Sequence, residues 1–351
     1  MSASASGSAT HLTLLIPGLL GPSRAALQGI SSTGVSVPAL ETLLARSNRL
    51  NDVRVDLETL TFEAFSLRVD ENQDLPVAAV TRVLDLGVVD KGWWLRADPV
   101  YLRPDRDRLL LADNTVLELT QVEAEQLVAE VMEVYANDGW ILKPARPDRW
   151  YIQPPAVPEI ITAPLPAVVG RNVHDYLPKG KDSKAWCTIL NEIQILLHTA
   201  RTNSQRESRG ALPINSLWFW GGGRLPHPQQ VPWTTVWTGE PLSLALARLS
   251  QTPTAAVPES AQQWLAQAQT GGEHLMVLDE ARSAALYGDV EAWQVFMHAL
   301  EEKWIEPLLN ALKRDAVRSV TLYTEFAPGF LIDAKKARRW WRRRRPLSSY
   351  H

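Results

Sequence analysis

Trp186-Cys187-Thr188-Ile189-Leu190-Asn191-Glu192-Ile193-Gln194-Ile195-Leu196-Leu197-His198, followed by Leu217-Trp218-Phe219-Trp220-Gly221-Gly222-Gly223, carries the reading of this chain. In the first run Trp186, Ile189, Leu190, Ile193 and Leu197 recur at helical spacing. Asn191, Gln194 and His198 therefore fall on the opposite, polar face of one amphipathic helix. The second run is an apolar strand over 216–220 that ends in three glycines. Without side chains there, a ligand or another backbone can approach closely. Between the runs stand Asn203, Arg206, Arg209 and Asn215, a polar set with the character of a site.

Outward from this stretch, apolar runs alternate with helical patterns. Strands are expected at 12–16, 93–97, 216–220, 233–237, 275–278 and 319–323, and helices at 38–46, 241–250, 258–269 and 288–313. Such alternation predicts an α/β fold with a mostly parallel sheet and helices on both faces. The texture changes over 98–153. Two short apolar runs precede a helix opened by the Thr120-x-x-Glu123 capping box and closed by Gly139, and two more runs follow it. This is a small α+β unit inserted as a lid, with the proline-containing segment 154–183 as the linker back. The expected organisation is a flexible leader at 1–10, a core of 11–97 and 184–333, the lid at 98–153 and a basic tail at 334–351.

Asn203, Arg206, Gly210, Pro213, Asn215, Gly221 and Gly223 match, in order and spacing, a signature of the archaeal-type, cofactor-independent phosphoglycerate mutases of the alkaline phosphatase superfamily. Asp279-Glu280-Ala281, followed by Gly288-Asp289 and Glu291-Ala292, is similar to a second. Together these cover about a third of the chain. The chain also resembles a bacterial offshoot of that family, regulatory proteins of the Rpf (pathogenicity-factor) type. The resemblance implies an alkaline phosphatase-like core with an inserted lid. It also implies two divalent metals, manganese or zinc, held by Asp and His at strand ends to activate a serine.

The metal-binding positions are where this chain departs from the family. Its first strand normally ends in Asp-Gly, and here it ends in Pro17-Gly18. Arg282 stands where the pattern has glycine and Ser283 where it has histidine. Glu325-Phe326 replaces an Asp-His pair. His11, His174, His227, His274, His298 and His351 lack the short spacings by which two ligands share a strand end or helix face. Ser23, Ser31, Ser32 and Ser36 lie in loop sequence, and none stands out as a nucleophile.

The expected reading is thus a pseudoenzyme that needs no cofactor. Its ligand-binding set comprises Asn191, His198, Asn203, Arg206, Arg209, Asn215, Gly221 and Gly223. A phosphorylated or carboxylate-bearing molecule suits the arginines, which present a bidentate fork, and a protein partner is the other candidate. The alternative is an active phosphomutase or phosphohydrolase with manganese or zinc on Asp279, Asp289 and Glu325.

Composition sets outer bounds. The chain has 351 residues, 45% of them hydrophobic, enough for a large core. Its single cysteine, Cys187, permits no internal disulfide and reads as a buried small hydrophobe. A cytoplasmic location follows, since the apolar 12–20 stretch has no basic leader and is far too short for a membrane span. Of fourteen tryptophans, Trp218 and Trp220 read as core.

The tail Lys335-Lys336-Ala337-Arg338-Arg339-Trp340-Trp341-Arg342-Arg343-Arg344-Arg345 holds eight basic residues. Subtracting its +8 from the net −3 leaves −11 elsewhere, so charge is segregated. The leading expectation is a tail whose tryptophans dock on the core. Nucleic acid and anionic membrane rank behind it.

Overall fold

The computed structural model describes residues 9–21, 35–50, 55–68, 70, 72–268 and 271–350. The chain divides into two compact units, 1–67 with 228–351, and 68–227.

The first unit is built on a seven-stranded sheet in the order Asn48–Arg49, Phe330–Asp333, Ser319–Tyr323, Thr10–Leu15, Gly272–Val277, Trp233–Trp237, Thr254–Ala255. The five strands from Ser319–Tyr323 onward are parallel, and Phe330–Asp333 and Asn48–Arg49 add antiparallel to that edge. Leu14 and Leu15 point to opposite faces of the central strand and both are buried, so both faces are covered, as parallel strands require. Leu12, Leu14 and Ile16 pack with Leu40 and Leu43 of the helix Pro38–Arg46, Trp264 of Ala261–Gln267, and Met297 and Leu300 of Val290–Leu300. The long helix expected over 288–313 is interrupted by a wide turn at Glu301–Ile305 before it resumes as Glu306–Lys313. There the Glu301 carboxylate accepts from the Ala39 and Leu40 amides, capping Pro38–Arg46 in place of a local side chain.

The second unit is an antiparallel five-stranded sheet. Its longest strand, Trp93–Asp105, pairs with Arg108–Ala112, Arg149–Gln153 and Ser216–Arg224, and Ile141–Arg146 adds beyond Arg149–Gln153. The helices Gln121–Tyr135 and Ser183–Thr199 supply Leu127, Val131, Trp186, Leu190, Ile193 and Leu197 to a core with Leu95, Ala97, Leu217 and Phe219. The capping box at Thr120 is present in full, and Gly139 closes the helix end in the left-handed conformation.

Several expectations are corrected. The apolar run 216–220 does not belong to the parallel sheet, because it pairs antiparallel with Trp93–Asp105 in the second unit. The helix Ser183–Thr199 goes with it, so the boundaries fall at 68 and 227 instead of 98 and 153, and 154–183 is part of a folded unit. In that stretch Ile161 pairs with Lys179, and the Thr162 amide donates to Asp74 Oδ1 at 2.8 Å. Thr10 opens the first strand. Residues 1–8 of the expected leader lie outside the described residues, as do Ser23, Ser31 and Ser32. Cys187 is half-buried. Trp218 and Trp220 are buried as read, but Trp340 and Trp341 are 80% and 63% exposed, and Leu347 and Tyr350 dock instead. No helix among the described residues is long and apolar enough to cross a membrane.

Candidate functional site

In an open parallel sheet ligands bind beyond the carboxyl ends of the strands, where successive loops diverge. Leu15 lies in register with Val277 and Tyr323, so their loops leave from one edge: Ile16-Pro17-Gly18, Leu278-Asp279 and Thr324-Glu325. Gly18 is needed there. It takes φ +76°, a Cβ would stand 2.8 Å from the Ala281 carbonyl oxygen, and its own carbonyl accepts from Trp293 Nε1 at 2.9 Å.

Arg282 occupies the centre of this edge. It sits in the first turn of the helix Glu280–Tyr287, where the helix dipole disfavours a cation. Carboxylates from elsewhere hold it. One guanidinium nitrogen donates to both oxygens of Glu58, each at 2.9 Å, and to Glu325 Oε1 at 3.0 Å. Burial pushes the Glu58 carboxyl above its ordinary range, and Arg282 opposes that rise. Burial likewise raises Asp279, again opposed in part by Arg282. For Arg282 itself burial works against the charge, but Glu58 and Glu325 outweigh it and the guanidinium is held more firmly protonated than usual.

The residues at this edge do not fit the two metals that the resemblance implies. Pro17 has no side-chain donor atom, Ser283 is exposed, and Phe326 is 55% exposed at a left-handed φ of +56°. Asp289 caps the helix Val290–Leu300 by accepting from the Ala292 amide at 3.0 Å. Glu325 is occupied by Arg282. Among the described residues, no group of three or more His, Cys, Asp or Glu side chains is placed to hold a metal ion.

The polar set read from the sequence lies in the second unit and is bonded to the chain itself. Buried Asn203 donates from Nδ2 to the Leu197 and Ile214 carbonyls at 2.8 and 2.7 Å, and its Oδ1 accepts from the Ile214 amide at 2.8 Å. Arg206 is fully buried. It donates to the Leu212 carbonyl at 2.9 Å and the Leu117 carbonyl at 2.5 Å, and pairs with Glu123 Oε2 at 3.0 Å. Arg209 pairs with the other Glu123 oxygen. Burial would raise the Glu123 carboxyl, but bonds from Thr120 and the two arginines pull it down to about 2. Asn215 exchanges both of its amide atoms with the Leu102 backbone, at 2.7 and 2.9 Å.

The remaining members are spread out. Asn191 and His198 are exposed on the outer face of their helix. Of the glycines, Gly221 takes φ +66°, and a Cβ on Gly223 would stand 2.6 Å from Pro76. What approaches closely is thus the backbone leading into the helix Val77–Leu86.

A charged network that was not read from the sequence lies in the same unit. Arg96 and Asp98, both buried, form a two-pronged pair at 2.9 and 2.7 Å, and Asp98 also accepts from Trp220 Nε1 at 2.7 Å. Burial pushes the Asp98 carboxyl up to about 6, against the pull of Arg96. Nearby Asp85 takes two bonds from Arg149, at 2.7 and 2.8 Å, and one from the Tyr151 hydroxyl at 2.6 Å. The available signal was Arg96-Ala97-Asp98, two charges on one face of a strand otherwise apolar.

No family model matches the chain. Over 173 residues it is 23% identical to a probable 2,3-bisphosphoglycerate-independent phosphoglycerate mutase of Geobacter sulfurreducens, a match covering 49% of this chain and 43% of that protein. Over that half, the chain is a distant homologue of the cofactor-independent phosphoglycerate mutases. A 59-residue segment is 34% identical to the mutase of Methanosarcina acetivorans, covering 17% of this chain and 15% of that one. The chain thus matches less than half the length of these curated mutases. The PH0037 protein from Pyrococcus horikoshii shares the fold, with a TM-score of 0.51 at 12% identity over 92% of this chain and 87% of that one.

Proposed function

We propose that this chain is a degenerate phosphoglycerate mutase-like protein that acts by binding, in the manner of the Rpf-type regulatory branch, and does not catalyse phosphoryl transfer. The observation that carries the reading is the Arg282 guanidinium bonded between Glu58 and Glu325 at the carboxyl edge of the parallel sheet. A two-metal phosphoryl transfer needs cations that polarise the transferring group and activate a nucleophile. Arg282 supplies a fixed positive charge there, but that charge is paired with Glu58 and Glu325 and it cannot lower the pKa of a bound hydroxyl as a metal does. The cytoplasmic assignment belongs to the same proposal.

A small phosphorylated or carboxylate ligand at Asn203 and Arg206 has less support. The polar atoms of those side chains are engaged by Leu117, Glu123, Leu197, Leu212 and Ile214. The test is elemental analysis of protein purified without chelator, together with a phosphoglycerate interconversion assay in added manganese. Substoichiometric metal and no turnover are expected. Two metal equivalents per chain, with turnover abolished by Asp279→Ala, would overturn the proposal.

A further inference from the structure

The basic tail is fixed in place in the first unit, but not by its tryptophans. After the short helix Ala334–Ala337, Arg338 donates to the Lys313 carbonyl at 2.6 Å and Arg342 to the Ser47 carbonyl at 3.0 Å. Arg344 pairs with Glu41 at 3.3 Å, and the same carboxylate accepts from the Leu347 amide at 3.1 Å. Leu347 and Tyr350 are buried, with the Tyr350 ring edge-on to Phe330 at 5.8 Å. These anchors leave a cleft of about 830 Å³ lined by Arg49, Trp341, Arg342, Arg343, Arg344 and Arg345. Five arginines thus line a volume suited to a small ligand, two of them, Arg342 and Arg344, already engaged by Ser47 and Glu41. No ion pair engages Arg49, Arg343 or Arg345 among the described residues, and Arg49 is held over the Tyr350 ring at 6.0 Å. Trp341, which lines the cleft, stands nearly perpendicular to Trp340, with centroids 6.1 Å apart.

We propose that this cleft binds a nucleotide unit, its phosphates on the arginines and its base on an exposed tryptophan face. Arginine forks match phosphate oxygens, and indole rings stack on any base. The exposed rings distinguish this ligand from a plain polyanion such as an acidic peptide, which would use the arginines alone. The −11 charge of the rest of the chain opposes a broad anionic bilayer more than it opposes a ligand confined to the cleft. The inference goes beyond the mutase reading and does not depend on it.

The unit could come from a free nucleotide or from a single strand, so both are probes: a nucleoside triphosphate and a short fluorescent oligothymidylate, each titrated into the full chain at low ionic strength. Binding of at least one is expected. Tighter binding of the oligonucleotide identifies a strand as the source, and equal or tighter binding of the triphosphate identifies a free nucleotide. For the strand, three phosphates on Arg49, Arg343 and Arg345 give a slope of log K against log salt of about −2.

Trp341→Ala should weaken binding roughly tenfold, and Trp341→Phe, which keeps a stacking face, should restore most of it. Arg343→Gln with Arg345→Gln should flatten the slope by about one unit or more. All of these side chains are exposed, so the thermal midpoint should not move. The proposal is overturned if neither probe binds, if Trp341→Ala binds as the parent does, or if Trp341→Phe is as weak as Trp341→Ala. Equal binding of polyglutamate or of phosphatidylglycerol vesicles would also overturn it.

Discussion

Arg282 donates from a single guanidinium nitrogen to both carboxylate oxygens of Glu58, 2.9 Å from each, and to Glu325 at 3.0 Å. Glu58 comes from the helix Leu57–Ala64, Arg282 from Glu280–Tyr287, and Glu325 from the loop after the strand Ser319–Tyr323. One cation therefore ties three parts of the first unit together where divalent metals would otherwise be expected.

Arg282→Ala leaves the buried Glu58 carboxylate facing Glu325 without a cation, and removing one partner of a buried pair costs about 3–5 kcal/mol. Burial already raises the Glu58 carboxyl, with Arg282 opposing; without Arg282 it rises further and takes up a proton. The loss should therefore be largest at alkaline pH and shrink as pH falls through the raised value, as urea unfolding across pH would record. Manganese or zinc should raise the unfolding midpoint of the variant and leave the parent unchanged. A variant indifferent to both metals would show that the carboxylates do not need a cation.

Asp98 gives a second pH signature. Its folded pKa of about 6 lies above the ordinary 3.8, so the folded state favours the neutral acid. The corresponding stability is complete below the unfolded value and is lost as pH rises through the folded one, by up to about 3 kcal/mol. Asp98→Asn should abolish that decline between acid and neutral pH. It should also lower stability throughout, because Arg96 stays buried without its counter-charge. A parent whose stability is flat over the same interval would refute this account.

Gly222→Ala and Gly210→Ala separate packing from backbone strain. A Cβ on Gly222 would stand 2.5 Å from the Trp93 ring and 2.8 Å from Leu95, an overpacking worth about 1–3 kcal/mol. Gly210 has open space, so its φ of +79° alone should cost about 1 kcal/mol. Calorimetry should rank Gly222→Ala as the more damaging.

In the tail, Tyr350→Ala and Leu347→Ala should each lower stability by about 1.5–3 kcal/mol, since both side chains are buried. Trp340→Ala should leave the midpoint in place. Equal losses at Trp340 and Tyr350 would restore the docked-tryptophan arrangement expected from the sequence.

Local signals were legible in the sequence. Thr120 and Glu123 marked a helix start, and the alternation of apolar runs with helical patterns marked the parallel sheet. The run 216–220 was misassigned because a strand covered on both faces looks alike in parallel and antiparallel sheets. Here its covers are the helices Val77–Leu86 and Ser183–Thr199. Arg206 and Asn215 stood out as unusual, but their roles depend on partners far away in sequence, such as Leu117, 89 residues from Arg206, and Leu102, 113 from Asn215. Arg282 was visible as a departure from the family pattern. Glu58, its principal partner, is 224 residues distant, and no local pattern links them.

The register of the first strand has a consequence for the order in which the protein is made. Thr10 pairs with Gly272 and His11 with Ser319, so the middle of the parallel sheet joins one segment to two others that are synthesised well after it. All strands of the 68–227 unit have emerged from the ribosome before Gly272 is added. Thr10–Leu15, a strand carrying Leu12, Leu14 and Leu15, must meanwhile wait with both edges unpaired until those segments are made. Such late closure slows folding and exposes a sticky segment to other nascent chains. The growing polypeptide is therefore most dependent on chaperones during that interval.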